Sequence, residues 1–170
     1  MILEINQKKD RLYRYILKSL QDENFNSTTS YSKILKFIKD NFDIIEEPKK
    51  GRAYFITVDT SRGVGGDYSA FTVIDTTEYP FNIVAKYRDN KISPLLYPNI
   101  IHKAAKDYNN AFILVEINDI GQQIADITHN ELEYENMIWV GSDSRYGQYL
   151  SNSGRNANLG VRTTKQIKRI

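Results

Sequence analysis

The chain has 170 residues, 41% hydrophobic and 26% charged, a composition that suits one globular domain with a real core and room for a small appendage. It has no cysteine, which excludes disulfides and thiolate metal sites, and only two histidines, His102 and His129, which argues against a histidine-rich zinc site. Any metal is left to carboxylates and hard-cation chemistry, and neither a membrane-span-length apolar run (roughly 18 residues) nor a signal peptide is expected.

The net charge of +2 is unevenly spread. Six of the 23 basic residues, Arg145, Arg155, Arg162, Lys165, Lys168 and Arg169, fall in residues 144–170, which hold no acid; the other 17 share the first 143 residues with all 21 acids. A basic end on a mildly acidic body is compatible with a polyanion partner and equally with a solvated tail.

In chain order, Leu12, Tyr15, Ile16 and Leu20 share one helical face, and Ile34, Leu35, Ile38 and Phe42 repeat the spacing. "EEPKKG" (46–51) reads as a linker, which places a helical segment at 1–50 and the main domain at 51–170. "AYFITVD" (53–59), "AFTVID" (70–75) and "NIVAKY" (82–87) are rich in β-branched and aromatic residues and predict three successive antiparallel strands. Start signals at 93–98 and a stripe of Ile100, Ile101, Ala104 and Tyr108 predict a helix. "AFILVEI" (111–117) reads as a strand buried on both faces. Asn118 or Asp119 is expected to cap a helix with Ile120, Ile124 and Ile127 inward, and "MIWV" (137–140) to form a short strand. Residues 141–160, rich in Ser, Asn and Gly, read as a loop, and 161–169 as a loop entering a basic helix. Three strands, helix, strand, helix, strand is the order of a mixed sheet with flanking helices, and it suits a ribonuclease H-like fold.

Two acids stand out because each ends an apolar run that should be sheet core: Asp59 and Glu116. If the two strands are neighbours, the carboxylates converge, and a converging pair calls for a cation such as Mg²⁺ or Mn²⁺. The alternative is that each acid caps a nearby turn or helix end. "SRGVGGD" (61–67) lacks the Lys-Ser/Thr ending of a phosphate loop and precedes a strand, so a tight hairpin accounts for its glycines. Ser61 and Asp67 are either supports of the site or turn caps. The two histidines are expected at the surface, and most of the twelve tyrosines in the core.

"YFITVDTSRGVGGDYSAFTVID", "ISPLLYPNII", "ILVEINDIGQQIAD", "LEYENM" and "LGVRTTKQIK" together resemble the nuclease domain of the large terminase subunit of T4-like tailed phages, over roughly residues 47–170. The resemblance implies a ribonuclease H-like, metal-dependent endonuclease that cuts concatemeric double-stranded viral DNA by metal-activated water. Asp59 matches the first catalytic acid, Glu116 the second, and Asp67 a supporting acid, with Mg²⁺ or Mn²⁺ as cofactor. The basic residues from Arg145 to Arg169 would contact DNA phosphates. Portal protein, small terminase subunit and a packaging ATPase domain are implied partners, in the cytoplasm of the infected host and not in the mature virion. The family's third acid belongs to a helix beyond the "RTTK" segment, whereas Asp143 is the last acid here. The resemblance therefore implies a C-terminally incomplete domain, truncated before that acid, with weak metal affinity and low cleavage. Rival readings are a DNA- or terminase-binding remnant without catalysis, and another ribonuclease H-like nuclease such as a resolvase.

Overall fold

The chain divides into two compact units, Met1–Phe42 and Asp43–Ile170. A computed structural model describes residues 41–143, 147–151 and 156–163, which fall almost wholly in the second unit. The first predicted helix and most of the second lie outside the described residues; Phe42, assigned to the second, is strand.

Five strands, β1 (Phe42–Ile44), β2 (Tyr54–Asp59), β3 (Ser69–Asp75), β4 (Asn82–Asp89) and β5 (Phe112–Val115), form one sheet in the order β1-β4-β3-β2-β5. The predicted meander is present: β2 pairs antiparallel with β3, and β3 with β4. β5 then pairs parallel with β2, after a crossover through helix α1 (Tyr97–Asp107). Register follows burial, because alternate side chains of each strand must face one core. Ile113, Ile56, Val73 and Ala85 form one buried row across the four strands, and Val115, Val58, Phe71 and Tyr87 form the next. Ile56 is fully buried, a gain of about 1.5–3 kcal/mol over leaving it in water.

Helix α1 covers this face with Tyr97, Ile100, Ile101, Ala104 and Ala105, the predicted stripe extended by one residue at each level. Phe71 and Tyr87 stack at 5.2 Å and Tyr87 stacks on Tyr97 at 5.8 Å, so three rings bolt the helix to the sheet. Three of the core tyrosines donate their hydroxyls to backbone carbonyls: Tyr97 to Asp59, Tyr108 to Glu46, Tyr134 to Ala111. Stretch 46–51 is tied down in this way, and further by Asn109, whose side-chain amide donates to the carbonyls of Lys49 and Arg52.

Four expectations need correction. β5 is buried on one face only: Ile113 and Val115 are fully inside, while Phe112 is half exposed and Leu114 half-buried, because no described element covers the opposite face of β5. Residues 60–68 are not a tight hairpin. They form a nine-residue loop whose Gly63 and Gly65 take positive φ and dock on the turn after β4; a Cβ on Gly63 would lie 2.1 Å from the Ile92 carbonyl oxygen. Neither Asn118 nor Asp119 caps the helix α2 (Gly121–Asp126), which has no side-chain cap and runs on into a π-helical turn, Ile127–Glu131. The stretch read as a loop from 141 contains a second, three-stranded sheet, order β7-β6-β8: β6 (Trp139–Asp143), β7 (Gly147–Ser151) and β8 (Ala157–Leu159). Gly141 allows it, since Tyr149 packs where a Cβ would stand, 2.3 Å away.

Asp75 at the end of β3 yields a pH prediction. Burial raises its carboxyl, but hydrogen bonding from Thr77 (backbone N–H at 3.0 Å) and the Arg52 guanidinium at 3.6 Å outweigh burial and hold it below the usual range. A carboxyl lowered in the folded state stabilises above its unfolded value, about 3.9, and that contribution fades as pH falls through the folded value. Asp75→Asn is expected to cost about 1 kcal/mol at pH 7 and progressively less as pH falls below about 3.9, read from denaturant melts across that range.

Candidate active site

Asp59 is the last residue of β2, and Glu116 follows β5 directly. Because β2 and β5 are parallel neighbours, with the Glu116 N–H donating to the Val58 carbonyl at 2.9 Å, both carboxyls emerge at one end of the sheet. They line one cleft there, and the Glu116 carboxyl acts directly on Asp59. Partial burial first, then the negative charge of Glu116, push the Asp59 carboxyl above its ordinary range; the Thr60 N–H, donating at 2.8 Å, pulls the other way without reversing the shift. Two acids sharing a site in this way resist double ionisation unless a cation joins them.

An open cleft of about 580 Å³ lies in front of the pair, bounded by the 59–67 loop on one side and by Glu116, Asn118 and Asp119 on the other. Asp67 lines this cleft, exposed, and its charge reaches Asp59 as a weak repulsion. It does not complete a ligand set: among the described residues no three His, Cys, Asp or Glu side chains cluster closely enough to hold a metal ion. Asp59 and Glu116 are thus the pair able to hold a hard cation. Ser61 is a turn holder, its N–H bonded to Ser69 Oγ at 3.0 Å and its hydroxyl 3.2 Å from the same atom.

Of the six basic residues, Arg162 is described: it is exposed, and its carbonyl accepts from Gln148 Nε2 at 3.1 Å. Arg145, Arg155, Lys165, Lys168 and Arg169 lie outside the described residues. His102 and His129 are half-buried structural residues rather than surface ones, edge-on to Tyr134 and Trp139 respectively.

Four neighbours of the site were not legible as such. Asn118 Nδ2 donates to Glu116 Oε1 at 2.8 Å, and the Thr163 hydroxyl donates to the same oxygen. Arg62 spans the cleft mouth to Asp119 in a two-pronged ion pair, 2.7 and 2.6 Å, joining the glycine loop to the segment before α2. Asn118 and Asp119 gave a sequence signal, two polar residues after a strand, but that signal also fits a helix cap; Arg62 and Thr163 gave none.

A three-strand meander feeding a parallel βαβ unit, with carboxylates ending the two adjacent parallel strands, defines a mixed α/β fold of the ribonuclease H-like type. The chain belongs to the terminase RNaseH-like domain family, whose pattern matches residues 56–165. Among solved structures it is similar to the large terminase nuclease from thermophilic phage G20c. With bound zinc, that protein aligns at 20% identity over 55% of this chain and 52% of its own, TM-score 0.47; with bound cobalt, at 13% over 68% and 79%, TM-score 0.42. The Thermus phage P74-26 large terminase nuclease domain aligns at 14% over 68% of this chain and 78% of its own, TM-score 0.39. The first of these alignments spans about half the length of the protein it matches.

Proposed function

We propose that this domain is the endonuclease part of a phage DNA-packaging terminase large subunit of the T4-like kind, cutting concatemeric double-stranded viral DNA with a divalent cation. The observation that carries this reading is the meeting of the Asp59 and Glu116 carboxyls at the end of two parallel strands, in a family of terminase domains. The donor set fits a hard cation, since both groups are carboxylates and Asp59 is held back from ionising by burial and by the charge of Glu116. A bound Mg²⁺ or Mn²⁺ supplies Lewis acidity to the attacking water and to the departing oxygen of the phosphodiester. Asp59 and Glu116 hold that charge in place, and Asp67 adds negative potential at the cleft wall. Arg162 and the other basic residues of 144–170 would contact backbone phosphates, independent of sequence and with steep salt dependence. The zinc, cobalt and magnesium found in the G20c nuclease support a divalent cation here. In this reading the domain works in the host cytoplasm beside a packaging ATPase, portal and small terminase subunit.

A second reading, a DNA- or terminase-binding remnant, is favoured because, among the described residues, no third carboxylate stands close enough to join the pair in holding a metal ion. Thermal melts with and without Mn²⁺ separate the two. The nuclease reading expects stabilisation of about 2.7 kcal/mol at a hundredfold excess over the dissociation constant, lost in Asp59→Ala. Salt-sensitive duplex binding without any Mn²⁺ effect on the melt would leave the remnant.

A further inference from the structure

Glu116 is held by side chains that the proposed chemistry does not use. Asn118 Nδ2 donates to Glu116 Oε1 at 2.8 Å and to Thr163 Oγ1 at 2.6 Å, and the Thr163 hydroxyl donates a hydrogen bond to the same Glu116 Oε1. Asn118 also reaches the Thr163 carbonyl at 3.3 Å. In this relay the amide nitrogen and the hydroxyl are the donors, and the Glu116 oxygen accepts from both.

Both donors converge on one oxygen. A carboxylate oxygen already accepting two hydrogen bonds is the poorer cation donor, which commits the other oxygen, Oε2, to any charge shared with Asp59. Thr163 is 47 residues from Glu116 and arrives there by a dedicated backbone dock. Val161 bridges Glu116 in parallel, its N–H donating to the Val115 carbonyl at 2.8 Å and its carbonyl accepting from Ile117 at 2.9 Å. Gly160, at φ +119°, makes that approach possible, since a Cβ there would stand 2.4 Å from the Val115 carbonyl oxygen. Glu116 and Thr163 also share the wall of a second groove, of about 310 Å³, which has Asp59 and Glu116 in common with the first.

We propose that Asn118 and Thr163 are the positioning residues of Glu116, fixing its carboxyl so that one oxygen is spent on the relay and the other is left for a divalent cation shared with Asp59. This rests on the metal-nuclease reading. The test is Mn²⁺ binding in the absence of DNA, followed by electron paramagnetic resonance, for the full chain and for Thr163→Val, Thr163→Ser, Asn118→Ala and Asp59→Ala. Valine keeps the shape of threonine and removes the proton; serine keeps the proton and removes the methyl. Thr163→Val and Asn118→Ala are expected to weaken Mn²⁺ binding about 10–100-fold, and Thr163→Ser to stay within a few-fold of the unmodified chain. Mn²⁺ affinity unchanged in Thr163→Val, or equally lost in Thr163→Ser, overturns the positioning role while the cation site stands. If the unmodified chain shows no Mn²⁺ binding that Asp59→Ala removes, the nuclease reading fails, and this inference with it.

Discussion

Gly121→Ala destabilises the domain by about 1–3 kcal/mol and weakens the cation site at the same time. An alanine Cβ at this position would lie 2.0 Å from the carbonyl oxygen of Glu116 and 3.0 Å from Thr60 Oγ1. Gly121 opens α2 and its N–H donates to the Asn118 carbonyl at 2.9 Å, so helix and strand end are held face to face with no space for a methyl. Helix propensity argues the other way, because alanine is better than glycine by about 1 kcal/mol in a helix interior. At the first helical position that gain is smaller, and the clash is with backbone, which cannot rotate away. The net effect is a loss, and relieving the contact moves the Glu116 backbone that sets the carboxyl. Denaturant melts measure the first consequence and Mn²⁺ affinity the second. A stabilised Gly121→Ala protein with unchanged Mn²⁺ affinity would contradict this packing.

Asp59→Ala and Glu116→Ala each lower cation-dependent DNA cleavage by more than about a hundredfold, the loss associated with removing partners that merely orient a metal ligand. On the metal-free protein the two substitutions differ. Burial and the facing Glu116 charge make an ionised Asp59 unfavourable in the folded state, so Asp59→Ala relieves repulsion and leaves the metal-free domain as stable or more stable at pH 7. In Glu116→Ala the same relief is offset by the hydrogen bonds from Asn118 and Thr163 that are lost. For Asp59→Ala the sign reverses when Mn²⁺ is added, because only the intact pair gains from the cation. Melts of both variants with Mn²⁺ and with a chelator read the crossover directly.

The meander was legible because one side of each strand is buried: Tyr54, Ile56 and Val58 alternate with Phe55, Thr57 and Asp59, a pattern that only a one-sided strand imposes. The candidate acids were legible for a related reason, since a carboxylate ending an apolar run stands out against the run. Their meeting also required β2 and β5 to be parallel neighbours, a pairing that rests on long-range contacts between Ile56 and Ile113 and between Val58 and Val115. β6 was legible only up to Val140, and its continuation, β7 and β8 escaped because they are short and hold Gly, Ser and Asn; their pairing depends on partners such as Gly141 beneath Tyr149. The supports of the site were the least legible. Asn118 with Thr163 and Arg62 with Asp119 join positions 45 and 57 residues apart, and nothing local to any of the four marks it as half of a pair.

The most direct test of the central claim is nicking and cleavage of supercoiled plasmid with Mn²⁺, comparing the unmodified chain with Asp59→Ala and Glu116→Ala. Cleavage that needs the cation and that both substitutions abolish is the predicted result. No cleavage by a folded, DNA-binding chain, or cleavage that survives loss of either acid, would contradict the assignment of Asp59 and Glu116 as its catalytic pair.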